Sequence, residues 1–338
     1  MKKQVLVSVD RGETRVALLE ATGSPSKTKT TRTPKKDWRV AELYLERRGN
    51  RSIVGNIYKG KVDNVLPGLE AAFVDFGLDK NGFLHVDEIV MPGVEVARRG
   101  RDGGSGKKIS ELLKPGQEIV VQVIKDPLKT KGARLSMEIT IAGRYMVYAP
   151  TGEGIGVSKR LDDKERERLR RAVKGLDLHG GGAIVRTAAQ GAKREDFERE
   201  LQYLFKLNEV LEKRVTEASA PALVFQEADL SVRVVRDIFS EHFERAIVDD
   251  EQQHHRLVSF FSRTAPELVD RVEIFEPGRP KKPLFEEYGV DQVIDGLMKS
   301  RVDLPSGGYL LIDYAEALTV IDVNSGSFVG RGKQARLE

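Results

Sequence analysis

Apolar positions along this chain fall into short alternating runs at its start, in its second quarter and at its end, with helical spacing confined to the stretches between. Residues 4–9 and 14–20 predict a hairpin across Asp10–Glu13, and 39–46 predict a third strand. Branched and apolar residues at period two suit a pleated surface with a covered face. Three opening strands with helices only later predict a mixed α+β unit completed by distant residues. Between 53 and 141 five short runs (GNIYKGKVDNV, LEAAFVDFG, GFLHVDEI, QEIVVQVIKD and ARLSMEIT) are separated by Gly, Pro, Asn and Asp. Such spacing predicts a small β-barrel. Helical periodicity returns at 162–176, capped by Asp162, and at 194–216. In the second helix Phe197, Leu201, Leu204, Leu207 and Leu211 form a stripe that faces a core. Strands are predicted at 183–187, at 221–225 (closing that unit), at 245–249 and at 272–275; helices are predicted at 229–241, 251–263 and 284–300. The adjacent His254 and His255 point to different faces and are expected in solvent.

The final hairpin pairs Tyr309–Ile312 with Ala317–Val323 around the acidic turn Asp313–Glu316. Its apolar strands predict burial, with Val323 in the core and Asp322 and Asn324 together on the opposite face, because side chains alternate. The stretches 23–37 and 92–108 are polar, basic and Gly-rich, so a mobile loop and a disordered insertion are expected there. PGRPKKP at 277–283 reads as a hinge-like linker.

Composition narrows the classes. The chain has 338 residues, 40% hydrophobic and 32% charged, enough for several domains with a sizeable core. It has no run of about 18 apolar residues, so no membrane span is expected. Met1-Lys-Lys-Gln-Val passes straight into a strand pattern without a signal-peptide apolar region. The absence of cysteine excludes disulfides, thiolate zinc and cysteine nucleophiles within these residues and suits a reducing cytoplasm. Net charge is +4, but basic residues concentrate at 27–36 and 98–108, which permits nucleic-acid binding.

Three constellations carry chemistry. The barrel sets Tyr58, Phe73, Phe76 and Phe83 among Lys59, Lys61, Lys125, Lys129 and Lys131. Aromatic faces stack bases while lysines neutralise phosphates, the recipe for binding single strands; the competing reading makes each Phe a core residue and each Lys a solvated one. Arg186 and Thr187 end a strand before a Gly-bearing turn and suit a terminal phosphate. Alternatively, Arg186 is a surface arginine pairing with a helix carboxylate. Asp322 and Asn324 at a strand end supply half of a site for a hard cation and a phosphate; the competing reading is a turn former bonding its own backbone.

GNIYKGKV…LPGLEAAFVDFG…GFLH (55–85), GAIVRTAAQG (182–191) and RVDLPSGGYLLIDYAEALTVIDVNSGSFVG (301–330) together resemble the ribonuclease E/G family of bacterial endoribonucleases. The resemblance runs from Met1 to about Gly330. It implies an α+β multidomain fold: an RNase H-like unit (1–52 and 229–280) interrupted by an OB-fold S1-type RNA-binding barrel (53–141) and a 5′-phosphate sensor (142–228), then the start of a DNase I-like unit (281–338). It implies magnesium-dependent hydrolysis of single-stranded RNA, stimulated by a 5′ monophosphate, in RNA processing and decay. By residue, it implies magnesium on Asp322, the scissile phosphate beside Asn324, and RNA gripped by Phe73, Phe83, Lys125 and Lys131. It places a 5′-monophosphate pocket at Gly143, Val147, Arg186 and Thr187, with Lys159 where the family often has an arginine. A lysine there replaces a fork with a point charge.

In the family a second magnesium-binding Asp and a zinc-linking Cys-Pro-x-Cys lie downstream of this sequence. The expectation is therefore a fragment that binds RNA but is catalytically incomplete, with zinc bound only through the downstream motif. For the full-length protein a homodimer or homotetramer, RNA-decay protein partners and a cytoplasmic location are implied. The runner-up is a non-catalytic S1-type RNA-binding protein; a scaffold of an RNA-decay assembly is a third class.

Overall fold

A computed structural model describes residues 1–23, 37–90, 108–240, 242–278, 281–315 and 318–327. Apart from Gly23, Asp37 and Lys108, the loop expected over 23–37 and the insertion expected over 92–108 lie outside these residues, as do parts of the 277–283 linker and the acidic turn. The opening runs form β1 (Lys2–Val9) and β2 (Glu13–Ala21), antiparallel, with β3 (Arg39–Arg47) beside β2. The Asp10 carboxylate closes the first turn by accepting from the N–H of Gly12 at 2.7 Å and of Glu13 at 2.8 Å, an Asx turn.

The second unit comprises β4 (Ile57–Leu66), β5 (Ala71–Asp75), β6 (Gly82–His85), α1 (Ile109–Leu112), β7 (Glu118–Lys125) and β8 (Arg134–Ser136). The strands pair in the order β4-β5-β6-β8-β7, and β4 pairs again with β7, closing a five-stranded barrel. Its interior holds Val62, Val74, Leu84, Val121 and Leu135, with Ile109 and Leu112 of α1. Tyr58 and Phe76 belong to this interior, their rings edge-on at 5.0 Å. The expectation that these two aromatics face RNA is thereby corrected: their positions on β4 and beyond β5 point inward, and burying each ring is worth about 1.5–3 kcal/mol.

Next come β9 (Ile141–Ala142), β10 (Met146–Ala149), β11 (Gly154–Val157), α2 (Asp163–Val173), β12 (Gly182–Val185), α3 (Arg194–Glu217) and β13 (Ala222–Phe225). Four of the strands form a sheet ordered β11-β12-β10-β9. Asp162 caps α2 by accepting from Glu165 N at 2.8 Å. Phe197, Leu201, Leu204 and Leu211 of α3 are buried as the stripe predicts. β13 departs from expectation: it pairs with β4, not with the sheet it follows. β4 pairs with β5 only from Lys61 onward and with β7 on its other side, so Ile57–Lys59 keep a free edge, and β13 takes it. Unpaired backbone groups at a strand edge are costly unless a partner or water satisfies them.

α4 (Leu230–Ile238), β14 (Phe243–Val248), α5 (Glu251–Thr264) and β15 (Val272–Ile274) follow. β14 lies parallel to β1, and β15 beside β14, so the opening sheet is completed from a distance in the order β15-β14-β1-β2-β3. β1 is covered on both faces: Val5 and Val7 pack with Phe239, Phe243 and Phe261, while Leu6 packs with Trp38, Leu284 and Phe285. That explains its nearly unbroken apolar run. His255 is exposed as expected. His254 is half-buried instead, its Nε2 3.2 Å from Val272 O, because α5 packs on β15. The helix expected over 284–300 is two helices, α6 (Leu284–Glu287) and α7 (Val290–Leu297), separated at Gly289, whose φ is +70°. A left-handed residue ends a helix, and glycine adopts it without a Cβ penalty.

The chain closes with β16 (Arg301–Asp303), β17 (Tyr309–Tyr314) and β18 (Thr319–Asn324), a three-stranded antiparallel sheet. The hairpin forms where predicted, but it is not buried. Val323, expected in a core, is 59% exposed, and Ile321 beside it on the same face is 57% exposed. Alternation fixes which residues share a face, not whether a second layer covers it, and among the described residues none does. Nor is any helix among them long and apolar enough to cross a membrane.

Candidate nucleic-acid interface and metal site

The barrel presents one lateral row of RNA-compatible side chains. Phe73 on β5 is paired with Phe83 on β6, Phe83 with Arg134 on β8, and Arg134 with Lys125 on β7. Partners across a ladder share a face. The Phe73 and Phe83 rings lie 6.1 Å apart at 69°, and both are half-buried, so each keeps an edge or face open to solvent. His85, two residues beyond Phe83, extends the aromatic surface with its ring 6.5 Å away and nearly parallel. The His85 Nδ1 accepts from Asp87 N at 3.2 Å. Lys125 is exposed, and so is Lys131, in a turn closed by reciprocal bonds between Leu128 and Lys131. Arg134 and His85 escaped the sequence reading. Period two from Phe83 would have found His85; Arg134 needed the strand register. Arg134 also pairs with Glu88 at 3.1 Å.

A second constellation lies where β10 begins and β12 ends. Arg186 N donates to Tyr145 O at 2.7 Å, extending that ladder, and Val147 sits in register with Ile184 and Ala142. The Arg186 Nη1 donates to Gly143 O at 2.7 Å. Nη1 also makes an ion pair of 2.7 Å with Asp237 of α4, so the plainer expectation of an arginine pairing with a helix carboxylate is met. Burial alone would raise the Asp237 carboxyl, but Arg186 and the buried Arg236 outweigh it and hold it below the usual range. Thr187 is exposed, its Oγ1 3.2 Å from the Ser158 hydroxyl. Lys159 is exposed next to Ser158. The turn after Thr187 is pinned from α2: Glu165 Oε1 accepts from Gly191 N at 2.8 Å, and Arg168 Nη1 donates to Ala192 O at 2.9 Å. Arg168 also donates from Nε and Nη2 to the two Glu165 carboxylate oxygens, each at 2.7 Å, and this, aided by that Gly191 N–H, lowers the Glu165 carboxyl to about 2.

Beneath these residues Glu200 of α3 is fully buried. Its Oε1 accepts from Arg144 N at 2.6 Å, and its Oε2 accepts from Tyr145 N and Met146 N, each at 2.9 Å. A Cβ on Gly143 would lie 2.6 Å from the Glu200 carboxyl carbon, so only glycine lets the chain approach this closely. Burial raises the Glu200 carboxyl to about 7, with the three N–H donors and Arg144 opposing. The clue was in the sequence, as Glu200 interrupts the Phe197–Leu201–Leu204 stripe.

On the closing sheet, Asp322 and Asn324 share a face, opposite Leu311 and Tyr309 respectively. Asn324 Nδ2 donates to Asp322 Oδ2 at 2.9 Å. The pair bonds to itself, and among the described residues neither side chain bonds its own backbone. Asp322 Oδ1 and the Asn324 carbonyl remain as hard oxygen donors on an exposed strand, a donor set that fits Mg²⁺ with water completing its shell. Among the described residues no group of three acidic, His or Cys side chains could hold a metal. Asp303, two strands away in the lateral row of Tyr309 and Asn324, is occupied by Arg301 at 2.8 Å, and that guanidinium stacks 3.9 Å over Tyr309.

Comparison with known proteins places the barrel and the chain beyond it in known families. A model of the S1 RNA binding domain matches residues 52–138, the barrel, and a model of the ribonuclease E/G family matches residues 140–337. Ribonuclease G of Salmonella typhimurium is 39% identical over 332 residues, covering 98% of this chain and 64% of that protein. Ribonuclease G of Escherichia coli (strain K12) gives the same figures, 39% over 332 residues with 98% and 64% covered. Ribonuclease E of Nostoc sp. is 39% identical over 277 residues, 81% of this chain and 39% of the relative. The chain thus spans about 64% of the length of the ribonuclease G proteins it matches. The family model covers more than half of the chain, and the chain belongs to the ribonuclease E/G family.

Proposed function

We propose that this chain is part of a magnesium-dependent endoribonuclease that hydrolyses single-stranded RNA and reads a 5′ monophosphate. The observation that carries the reading is the exposed Asp322–Asn324 pair in the same chain as the Phe73–Phe83–Arg134–Lys125 row. The barrel row stacks bases on Phe73 and Phe83 and neutralises phosphates with Lys125, Lys131 and Arg134. Asp322 Oδ1 would hold the magnesium. Its Oδ2 fixes the Asn324 carboxamide beside the scissile phosphate. Bound magnesium lowers the pKa of an attacking water and offsets charge on the phosphorane-like transition state. Gly143, Val147, Lys159, Arg186 and Thr187 line the 5′-phosphate pocket, where the Arg186 Nε/Nη2 edge, free of partners among the described residues, supplies a fork for a phosphate. In this reading residues 1–52 with 229–280 form the RNase H-like unit, 53–141 the barrel, 142–228 the sensor and 281–338 the beginning of the DNase I-like unit.

Product ends test the reaction class. The full-length protein, given a 5′-monophosphorylated single-stranded RNA and Mg²⁺, is expected to leave 5′-phosphate and 3′-hydroxyl ends and to be silenced by EDTA. Cyclic 2′,3′-phosphate ends, or cleavage indifferent to EDTA, would refute the proposal.

A further inference from the structure

Asp237 belongs to α4, outside the sheet that carries the 5′-phosphate pocket, yet it meets that pocket's arginine. Both contacts of the Arg186 side chain fall on one nitrogen: Nη1 reaches Gly143 O and Asp237 Oδ1, each at 2.7 Å. The other edge of the guanidinium, Nε with Nη2, has no partner among the described residues. A bidentate grip on phosphate uses two parallel N–H groups, so clamping Nη1 alone restricts the side chain without consuming the fork. Asp237 is itself fixed. Arg236 Nε donates to the same Oδ1 at 2.9 Å, and Arg236 Nη1 donates to Glu227 Oε1 at 3.0 Å and Ala142 O at 3.3 Å. Arg236 is only 7% exposed. Glu227 N in turn donates to Asn56 Oδ1 at the start of the barrel, at 2.9 Å. The alternation Glu227–Arg236–Asp237–Arg186 leaves the cluster electrically balanced, so the Asp237 charge is compensated before an anion arrives.

We infer that Asp237 is a positioning residue for 5′-end recognition, holding Arg186 by Nη1 so that its Nε/Nη2 edge is kept for a terminal phosphate. This rests on the 5′-phosphate reading of the pocket given above. A long, freely rotating arginine loses side-chain entropy when it grips a ligand; a prealigned one has already lost it.

The test compares kcat/KM of the full-length protein for one RNA carrying a 5′ monophosphate and the same RNA carrying a 5′ hydroxyl. Asp237→Ala is expected to lower the ratio of the two by about tenfold, the scale of one charge-assisted hydrogen bond, mainly through KM for the phosphorylated RNA. Asp237→Asn keeps an oxygen acceptor for Nη1 and is expected to lower it less. Arg186→Ala is the control for the pocket itself. If Arg186→Ala collapses the ratio and neither Asp237 variant changes it, the inference falls and the pocket stands. If both RNAs lose activity equally in both Asp237 variants, Asp237 is merely structural and the inference also falls. If Arg186→Ala leaves the ratio intact, the pocket reading fails and takes the inference with it.

Discussion

At the residue scale, the site depends on a few buried polar groups whose partners are backbone. Glu200 is the clearest. A carboxylate buried in a helix face is costly, but here it satisfies three consecutive N–H groups, those of Arg144, Tyr145 and Met146, where the chain enters β10. Glu200→Ala would orphan all three. At about 1–3 kcal/mol for each buried unsatisfied donor, with partial rescue by water, a loss of about 3 kcal/mol in unfolding free energy is expected; chemical denaturation measures it, and a loss below about 1 kcal/mol would contradict the role. The pH dependence has a definite sign. The folded carboxyl is raised from 4.5 to about 7, so the native state holds the proton more tightly than the unfolded state. The stability contributed is present below pH 4.5 and is lost as pH rises towards 7. The gap between wild type and Glu200→Ala should therefore narrow over that window; a gap that widens would place the shift in the other direction.

At the element scale, much was legible in the sequence because local rules sufficed. The β1–β2 hairpin, the five barrel strands, the α3 stripe and the Asp322/Asn324 face all follow from periods of two or 3.6. What escaped needed register or neighbours. β13 reads as any short apolar strand, and nothing in its own residues says that β4 has a free edge at Ile57–Lys59. The exposure of Val323 escaped because an alternating pattern implies a covering layer without supplying one. The break at Gly289 shows in the sequence only as one of two glycines in a helical pattern, and Gly296 interrupts nothing. Gly289→Ala should cost about 1 kcal/mol, the left-handed penalty of an L-residue, read as a lowered melting temperature; an unchanged one would mean that the turn relaxes. The barrel row separates two contributions. Phe83→Ala should weaken single-stranded RNA binding by about 1–3 kcal/mol without changing its salt dependence, while Lys125→Ala should reduce the log K versus log salt slope by about 0.7. Fluorescence anisotropy across a salt series checks both, and an unaltered slope in Lys125→Ala would remove that lysine from the phosphate contacts.

At the scale of the whole molecule, the chain is organised by returns. β14 comes back to pair with β1 after the barrel and the four-stranded sheet have been made, and Arg236 and Asp237 on α4 bind both the pocket and, through Glu227, the first residues of the barrel. The surfaces proposed to read RNA are thereby mounted on one frame, while the acidic strand end lies on a separate sheet at the other extremity of the described chain. In the proposed reaction, cleavage depends on that strand end. The direct measurement is RNA cleavage and RNA affinity of the full-length protein beside its Asp322→Asn variant at saturating Mg²⁺. Cleavage should fall by orders of magnitude while the Kd for single-stranded RNA stays within about twofold, because a carboxamide leaves the hairpin intact but is a poor ligand for a hard cation. Retained cleavage, or a loss of affinity as large as the loss of cleavage, would contradict the assignment of Asp322 to the metal.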